Sequence, residues 1–511
     1  MKLYKVLYKK DIVRQVKICL SVLLYVTVAL EIFFFPSIDN IVGCLMAFVS
    51  LKIFNLLFTY RLVNQFPFAF LMFLSMFLYR YLPLVATLIE GKPISYKLEL
   101  PATTFLLETF SFLIGGLALY FATNLKQNSL IQKKLYKLGF FEISQKILWW
   151  MGGVGLLVRL YTLQSSNLEY GDVGGKFISG LSYFITAPIC LLFPSLLKIK
   201  EHTNKKLVII YIVVVFIINI ASNSREQILS PIFVYIILFF LNIVVTKKAI
   251  TDIISPLKLT FIIIFLIFGL NFLSDISIAM IANGGIRSDV SKNELFKNTI
   301  DTYLDKNQMT KLKMLANDQE KNTSGYSMGW TESYLDNFMF NRYANILISD
   351  QTLFYADKIG YGNFKMVEDF FDKILVIFPE PILKLIDINI DKGNFLYSRG
   401  DYLYSLNTGD VKGGFKVTSH VGDGLATFGY LYFPLQFALW FLVFMLLNTF
   451  VIYTKYGTVF SSYGLMNVFI FVGMFRNAQG CLGDLTFILR GYFQGVFTYL
   501  IILWFLKKIH K

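Results

Sequence analysis

The chain has 511 residues, 56% of them hydrophobic and 16% charged, with a mean hydropathy of +0.59, which excludes an ordinary soluble multidomain protein and points to a polytopic helical membrane protein. Its net charge of +15 lies in short basic clusters between apolar runs, so it reads as orientation in a membrane rather than as a nucleic-acid-binding face. Cys19, Cys44, Cys190 and Cys481 show no CxxC spacing, and neither a zinc site nor a disulfide framework is expected.

A crossing needs roughly 20 apolar residues. On that ruler, spans fall near 16–35, 40–60, 66–89, 102–123, 147–163, 178–197, 207–222, 228–246, 257–275, 430–453, 463–475 and 485–506, twelve in all. The basic N-terminus runs into the first span with no small-residue cleavage site, so that span is expected to be kept. Lys2, Lys5, Lys9, Lys10 and Arg14 put the N-terminus in the cytoplasm by the positive-inside rule. Lys126, Lys133, Lys134 and Lys137, then Lys198, Lys200, Lys205 and Lys206, then Lys247 and Lys248, and the tail lysines Lys507, Lys508 and Lys511 fall on the same side by alternation.

Residues 276–429 form a polar insert between the ninth and tenth spans and face outward on this count. The expected fold is therefore all-α, with membrane bundles at 1–275 and 430–511 around one large outward-facing loop domain. Between 276 and 423 there are 16 Lys and Arg against 19 Asp and Glu, so the insert escapes the basic bias. Within it, Phe364, Val367, Phe371, Ile374 and Phe378 recur at helical spacing and stop at Pro379-Glu380-Pro381. This predicts an amphipathic helix lying on the membrane surface or on the bundle, or else packing a small core of the loop. Trp330, Tyr334, Phe338 and Tyr343 predict a second helix, with Arg342 beside it, and Gly284-Gly285 and Gly413-Gly414 mark turns.

His202 and His510 fall on the cytoplasmic side, which leaves His420 as the histidine placed for acid–base work outside. It lies in TSHVGDGLATFGYLYFP, residues 418–434, where Gly422, Gly424 and Gly429 would let backbone approach a substrate and Asp423 would orient the ring or position a hydroxyl. The alternative is a histidine capping a helix at the interface. A second polar interruption, Ala221 to Gln227, carries Arg225 on the outer side between two apolar runs, where an arginine must snorkel, pair or face water. Arg80, Arg159, Arg476 and Arg490 lie at similar depth. Together these five suit a pyrophosphate, which the guanidinium fork binds bidentately. Glu31, Glu108, Glu226 and Asp484 are placed to neutralise several of them instead. Nucleotide-binding glycine loops and HExxH are absent.

The many spans, the late outward loop, the Ser224-Arg225 pair at an outer helix end and the Gly-rich turn ending in Phe428-Gly429-Tyr430 resemble the Wzy-type family of oligosaccharide repeat-unit polymerases of O-antigen and capsule. The resemblance implies glycosyl transfer between undecaprenyl-pyrophosphate-linked oligosaccharides in a bacterial cytoplasmic membrane, inverting, with no metal or other cofactor. It also implies chain-length regulator and flippase proteins as partners. In that scheme His420, steadied by Asp423, takes the proton of the attacking hydroxyl, and Arg225 and Arg490, with Arg159, Arg476 and Arg80, face the departing pyrophosphate. Arg342 and Arg399 are candidates for the second pyrophosphate or the glycan, and Tyr397, Tyr402 and Tyr404 for sugar stacking or simple packing. A flippase or other transporter, and a glycan ligase of the same chemistry, remain the competing readings. A transporter built from paired repeats leaves the long insert without a role.

Overall fold

The computed structural model describes residues 12–125, 128–164, 178, 180–200, 203–221, 225–248, 275–276, 278–280, 282–283, 292–312, 325–326, 329–385, 387–455, 457–475 and 480–509. In chain order, α1 (Ile12–Phe34), α2 (Ile38–Leu57), α3 (Pro67–Ile89) and α4 (Pro101–Thr123) come first, followed by α5 (Gln145–Gln164), α6 (Lys205–Ala221) and α7 (Arg225–Thr246). The insert holds α8 (Leu347–Ile359), α9 (Phe364–Ile377) and α10 (Arg399–Thr408). After it come α11 (His420–Phe428), α12 (Tyr432–Asn448), the strands β1 (Val451–Thr454) and β2 (Gly457–Phe460), α13 (Gly480–Thr486) and α14 (Tyr492–Ile509). Starts follow local rules: Pro67 and Pro101 occupy first-turn positions where no amide donor is needed, and the Ser37 side chain caps α2 by accepting from the Asn40 amide.

Six helical stretches among the described residues are long and apolar enough to cross a membrane: α1 to α4, the composite His420–Asn448 and the composite Gly480–Ile509. The chain is thus a predominantly helical, membrane-embedded protein, and the expected count of twelve spans is not reproduced. The expected span at 178–197 is a 3-10 helix, Ser182–Leu192, followed by the short Pro194–Leu197; Pro188 and Pro194 each remove an amide donor from an α-helical ladder. The one at 463–475 breaks at Asn467 into Ser462–Met466 and Val468–Gly473. α6 and the apolar part of α7, Ser230–Thr246, are each 17 residues. The expected span 257–275 lies outside the described residues except for Asp275. The all-α expectation also missed the antiparallel β1–β2 pair, which follows directly after α12.

Hydrogen bonds gather the connections into two ends. At one, Glu31 Oε1 accepts from the Ile94 amide at 2.8 Å, Glu90 carboxylate oxygens accept from the amides of Asp336 and Asn337 at 2.9 Å each, and Tyr334 donates to Ile94 O at 2.7 Å. The insert therefore sits on the α3–α4 connection, which Glu31 in turn ties to α1. At the other end, Gln132 Nε2 donates to Asn448 O at 3.1 Å and Val451 O at 2.6 Å, and Lys507 Nζ donates to Gly139 O at 3.1 Å. Lys133, Lys134 and Lys137 belong to this second, basic end. A cleft of about 770 Å³ opens there between Tyr136, Phe141, Lys198, Tyr453 and Lys455.

Asp350 of α8 fastens the insert to the bundle. Fully buried, it accepts from the amides of Glu99 (2.7 Å) and Leu100 (3.1 Å), from Thr104 Oγ1 (2.7 Å) and from Tyr326 OH (2.7 Å), supplying from a distant segment the acceptor that the start of α4 lacks locally. Burial pushes its carboxyl above the ordinary 3.8, against the pull of these donors. The folded protein then holds a proton the unfolded chain has released, so this contribution is complete below the ordinary value and is lost as pH rises through the folded one. Asp350→Asn is expected to cost about 1–3 kcal/mol, because the new amide group faces donors. It should also flatten that component of the pH dependence in thermal unfolding of the detergent-solubilised protein.

In the insert, α9 has the predicted extent and ends before Pro379, and the face it buries most lies beside the apolar stripe. Met366, Asp369, Phe370, Lys373 and Ile377 turn inward, whereas Phe364 and Phe371 are 78% and 57% exposed. The stripe is divided: Phe364 and Phe371 stay open, while Ile374 packs against the core. The helix expected from Trp330 to Tyr343 is confined to Phe338–Tyr343; Tyr334 is instead spent on the bond to Ile94. Gly413 sits at φ +131, as its turn assignment requires, while Gly284-Gly285 lies outside the described residues.

Candidate functional site

His420 opens α11 at the insert end of the bundle. The cap is Ser419, whose side chain accepts from the Gly422 amide at 3.0 Å, so His420 is the first helical residue and not itself the cap. Its ring is 4% exposed, lies flat on Phe475 with centroids 4.7 Å apart, and has Trp440 at 5.9 Å. Neither ring nitrogen has a hydrogen-bond partner. The carboxylate facing it is Asp484 of α13, Oδ2 4.0 Å from Nδ1. Asp484 is held by Gln436 Nε2 at 2.6 Å, and Gln436 in turn accepts from the Cys481 thiol at 3.0 Å.

The glycines of α11 serve packing rather than substrate approach. A Cβ on Gly422 would stand 2.5 Å from Thr352 Cγ2, and one on Gly424 would stand 2.0 Å from Tyr432 Cδ2. Gly429, at φ +55, ends the helix where α9 begins: the amides of Gly362 and Asn363 donate to Leu425 O and Ala426 O. Gly424→Ala is expected to cost about 1–3 kcal/mol by overpacking against the Tyr432 ring, and Gly424→Ser more, as a fall in unfolding temperature.

Asp423 does not steady His420. It takes Arg399 Nε at 3.0 Å, while Arg399 Nη1 reaches Asp369 Oδ2 at 2.6 Å and Met366 O at 3.0 Å, and Nη2 donates to Thr427 Oγ1. Tyr397 OH completes the cluster with a 2.5 Å bond to Asp369 Oδ1. Arg399 is 5% exposed, so it is enclosed by these partners rather than open to a phosphate. Residues three apart on one helix, His420 and Asp423, thus serve different neighbours. Tyr397 and Tyr402 stack at 5.8 Å, and Tyr404 packs edge-on to Tyr355 at 5.3 Å, which is the packing role.

Arg80 lies fully buried in α3, paired with Glu108 of α4 at 2.7 Å and bonded to Met76 O at 2.7 Å. Glu108 Oε1 accepts from Ser349 at 2.5 Å, and Ser349 bonds Tyr79 OH at 2.9 Å. The Arg80 guanidinium lies 5.0 Å from the Phe475 ring, whose other contact is His420. Arg80, Phe475, His420 and Asp484 thus form one continuous buried group, drawn from α3, α11, α13 and the segment between α12 and α13.

The remaining arginines are elsewhere. Arg159 is buried and donates to Asn219 Oδ1 at 3.0 Å. Arg490 is exposed, bonding Gln494 Oε1 at 2.9 Å and Ile377 O at 3.2 Å. Arg342 is exposed at the end of Phe338–Tyr343. Arg225 starts α7, but its side chain, like that of Glu226 and the whole of Arg476, lies outside the described residues. Of the four carboxylates expected to neutralise the arginines, Glu108 does so for Arg80; Glu31 is spent on the Ile94 amide and Asp484 on Gln436 and His420. Asp369, Phe475 and Ser349 were not anticipated. The inward spacing of Asp369 with Met366, Phe370 and Lys373 on α9 was the available signal for the first. Among the described residues no group of His, Cys, Asp and Glu is arranged to hold a metal ion. Comparison with protein-family models, with curated proteins and with solved structures finds no match.

Proposed function

We propose that the protein lengthens a surface polysaccharide by glycosyl transfer between two lipid-pyrophosphate-linked oligosaccharides at the insert end of the bundle. The observation that carries this reading is His420: a buried histidine at the start of an apolar helix, beside the large polar insert, with no hydrogen bond to either nitrogen, Asp484 4.0 Å from Nδ1 and Arg80 across the Phe475 ring. An ionisable residue buried in such a place without a hydrogen bond is expensive and marks a functional site by default.

In the reaction, a terminal sugar hydroxyl attacks the anomeric carbon of the growing chain and the lipid pyrophosphate departs. The hydroxyl proton passes to a ring nitrogen of His420, and Asp484 takes the orienting role first expected of Asp423, stabilising the imidazolium. Attack opposite the leaving group inverts the anomeric centre. Charge on the departing pyrophosphate is met by Arg225 and the exposed Arg490. Arg80, Arg159 and Arg399 are satisfied by protein partners and act in the scaffold. Undecaprenyl pyrophosphate as the carrier, the cytoplasmic membrane as the location, and chain-length regulator and flippase partners rest on the Wzy-type resemblance.

Transport of the lipid-linked glycan is the second reading. It is favoured by the enclosure of His420, Asp484, Arg80 and Glu108 inside the bundle, as proton-coupled carriers keep such groups. Deletion of the gene separates the two. Under the first reading, surface glycan falls to a single repeat unit; under the second, repeats accumulate on the cytoplasmic side. Arg225→Lys should cut chain length far more than Arg61→Lys, at an exposed arginine given no part in the site, since lysine lacks the bidentate fork. Equal behaviour in glycan gels would remove Arg225 from the pyrophosphate site.

A further inference from the structure

We propose that α9 is an interfacial membrane helix. Its outward stripe seats in the headgroup–acyl boundary of the bilayer, while its inward face holds the Arg399 cluster. The helix has three faces. Met366, Asp369, Phe370, Lys373 and Ile377 are buried against the protein. Lys365, Glu368 and Asp372 form a charged face, the first two exposed and Asp372 half-buried. Phe364 (78% exposed) and Phe371 (57%), with half-buried Val367 between them, form an apolar face open to the outside, and Ile374 marks its edge, where it packs against the core. At 100° per residue these faces lie roughly a third of a turn apart. A helix lying flat at a boundary meets protein, water and lipid in that arrangement.

Anchors at both ends fix how the helix lies. Its start is bonded to the end of α11 through the Gly362 and Asn363 amides, next to the entry of α12. Its end is bonded through Ile377 O to Arg490, at the entry of α14. Tied at its two ends to two candidate crossings, His420–Asn448 and Gly480–Ile509, this helix of about 21 Å runs along the membrane plane rather than away from it. The apolar face is also continuous with crossing helix: Tyr361 meets the Tyr430 ring at 6.0 Å, and Tyr430 and Leu431, 68% and 74% exposed, lead straight into α12. That continuity identifies lipid as the occupant. Because Asp369 and Met366 O grip Arg399, which grips Asp423, lipid contact on one side of α9 sets the height of the α11 helix on the other.

The test places a nitroxide at position 364, 368, 371 or 372 of the full-length protein. Exposed Cys19 is changed to Ala, so that the three remaining cysteines, all buried, stay unlabelled. The labelled proteins are studied in nanodiscs of phosphatidylethanolamine and phosphatidylglycerol. Phe364→Cys and Phe371→Cys should relax several-fold more with oxygen, relative to a water-soluble nickel chelate, than Glu368→Cys and Asp372→Cys. Since both stripe positions point away from the protein interior, folding is retained and can be checked by elution profile. Equal nickel accessibility at 371 and 368 would mean that the stripe faces water, and protection from both reagents would mean that a second copy covers it; either result overturns the proposal.

Discussion

His420→Ala abolishes chain extension: the rate of glycosyl transfer falls by about 10²–10⁴-fold, the range lost when a positioned base is removed, while the amount of folded protein in the membrane stays near wild type. The fold is expected to tolerate the change because the imidazole makes no hydrogen bond; what is lost in packing is the stack on Phe475. His420→Gln, which keeps the bulk but cannot carry a proton, should be equally inactive. Asp484→Asn should be milder, since it alters the partner of the ring and keeps the Gln436 contact. Glycan-ladder gels, set against immunoblots of the membrane fraction, read both quantities. Ladders of normal length from His420→Ala would take the residue out of the chemistry.

Arg399→Ala has the second large effect, and here the loss is of the fold. The residue joins α9, α10 and α11 through Asp369, Asp423 and Thr427, with the carboxylate side chains at 2% exposure. Removing the cation strands two buried carboxylates side by side, which costs about 3–5 kcal/mol. Arg399→Lys reaches one carboxylate at most and recovers part of that. Adding Asp369→Asn and Asp423→Asn to Arg399→Ala should restore stability relative to the single change, because the unpaired charges rather than the missing contacts are the main cost. Thermal unfolding by size-exclusion in detergent measures all three, and additive losses would refute the pairing.

Part of this was legible in the sequence. The first four crossings, the polar insert and the limits of α9 follow from apolar run length, helical period and proline, all of which act locally. His420 at the mouth of a crossing was readable for the same reason. The partners of the charged groups were not, because pairing is tertiary: Arg80 meets Glu108 from the neighbouring helix, and Asp423 meets an arginine of the insert that no spacing rule connects to it. Gly422 and Gly424 looked like room for a substrate and are filled by Thr352 and Tyr432, which only the packed structure supplies. On α9 the stripe alone left its covering open between membrane, bundle and loop core, and the protein buries the adjacent face, where Asp369 pairs with Arg399 and Lys373 donates to the carbonyls of Phe395 and Tyr397. The shortfall in spans has a local cause at 178–197 and 463–475, where Pro188, Pro194 and Asn467 interrupt runs that hydropathy counts as continuous.

The central claim is chain-lengthening chemistry that depends on His420. Its most direct test is purified protein in proteoliposomes supplied with lipid-pyrophosphate-linked repeat units on the insert-facing side. A ladder of longer lipid-linked chains with release of lipid pyrophosphate, absent with His420→Ala, is the predicted result. Movement of unextended repeats across the bilayer, with no lengthening, would contradict it.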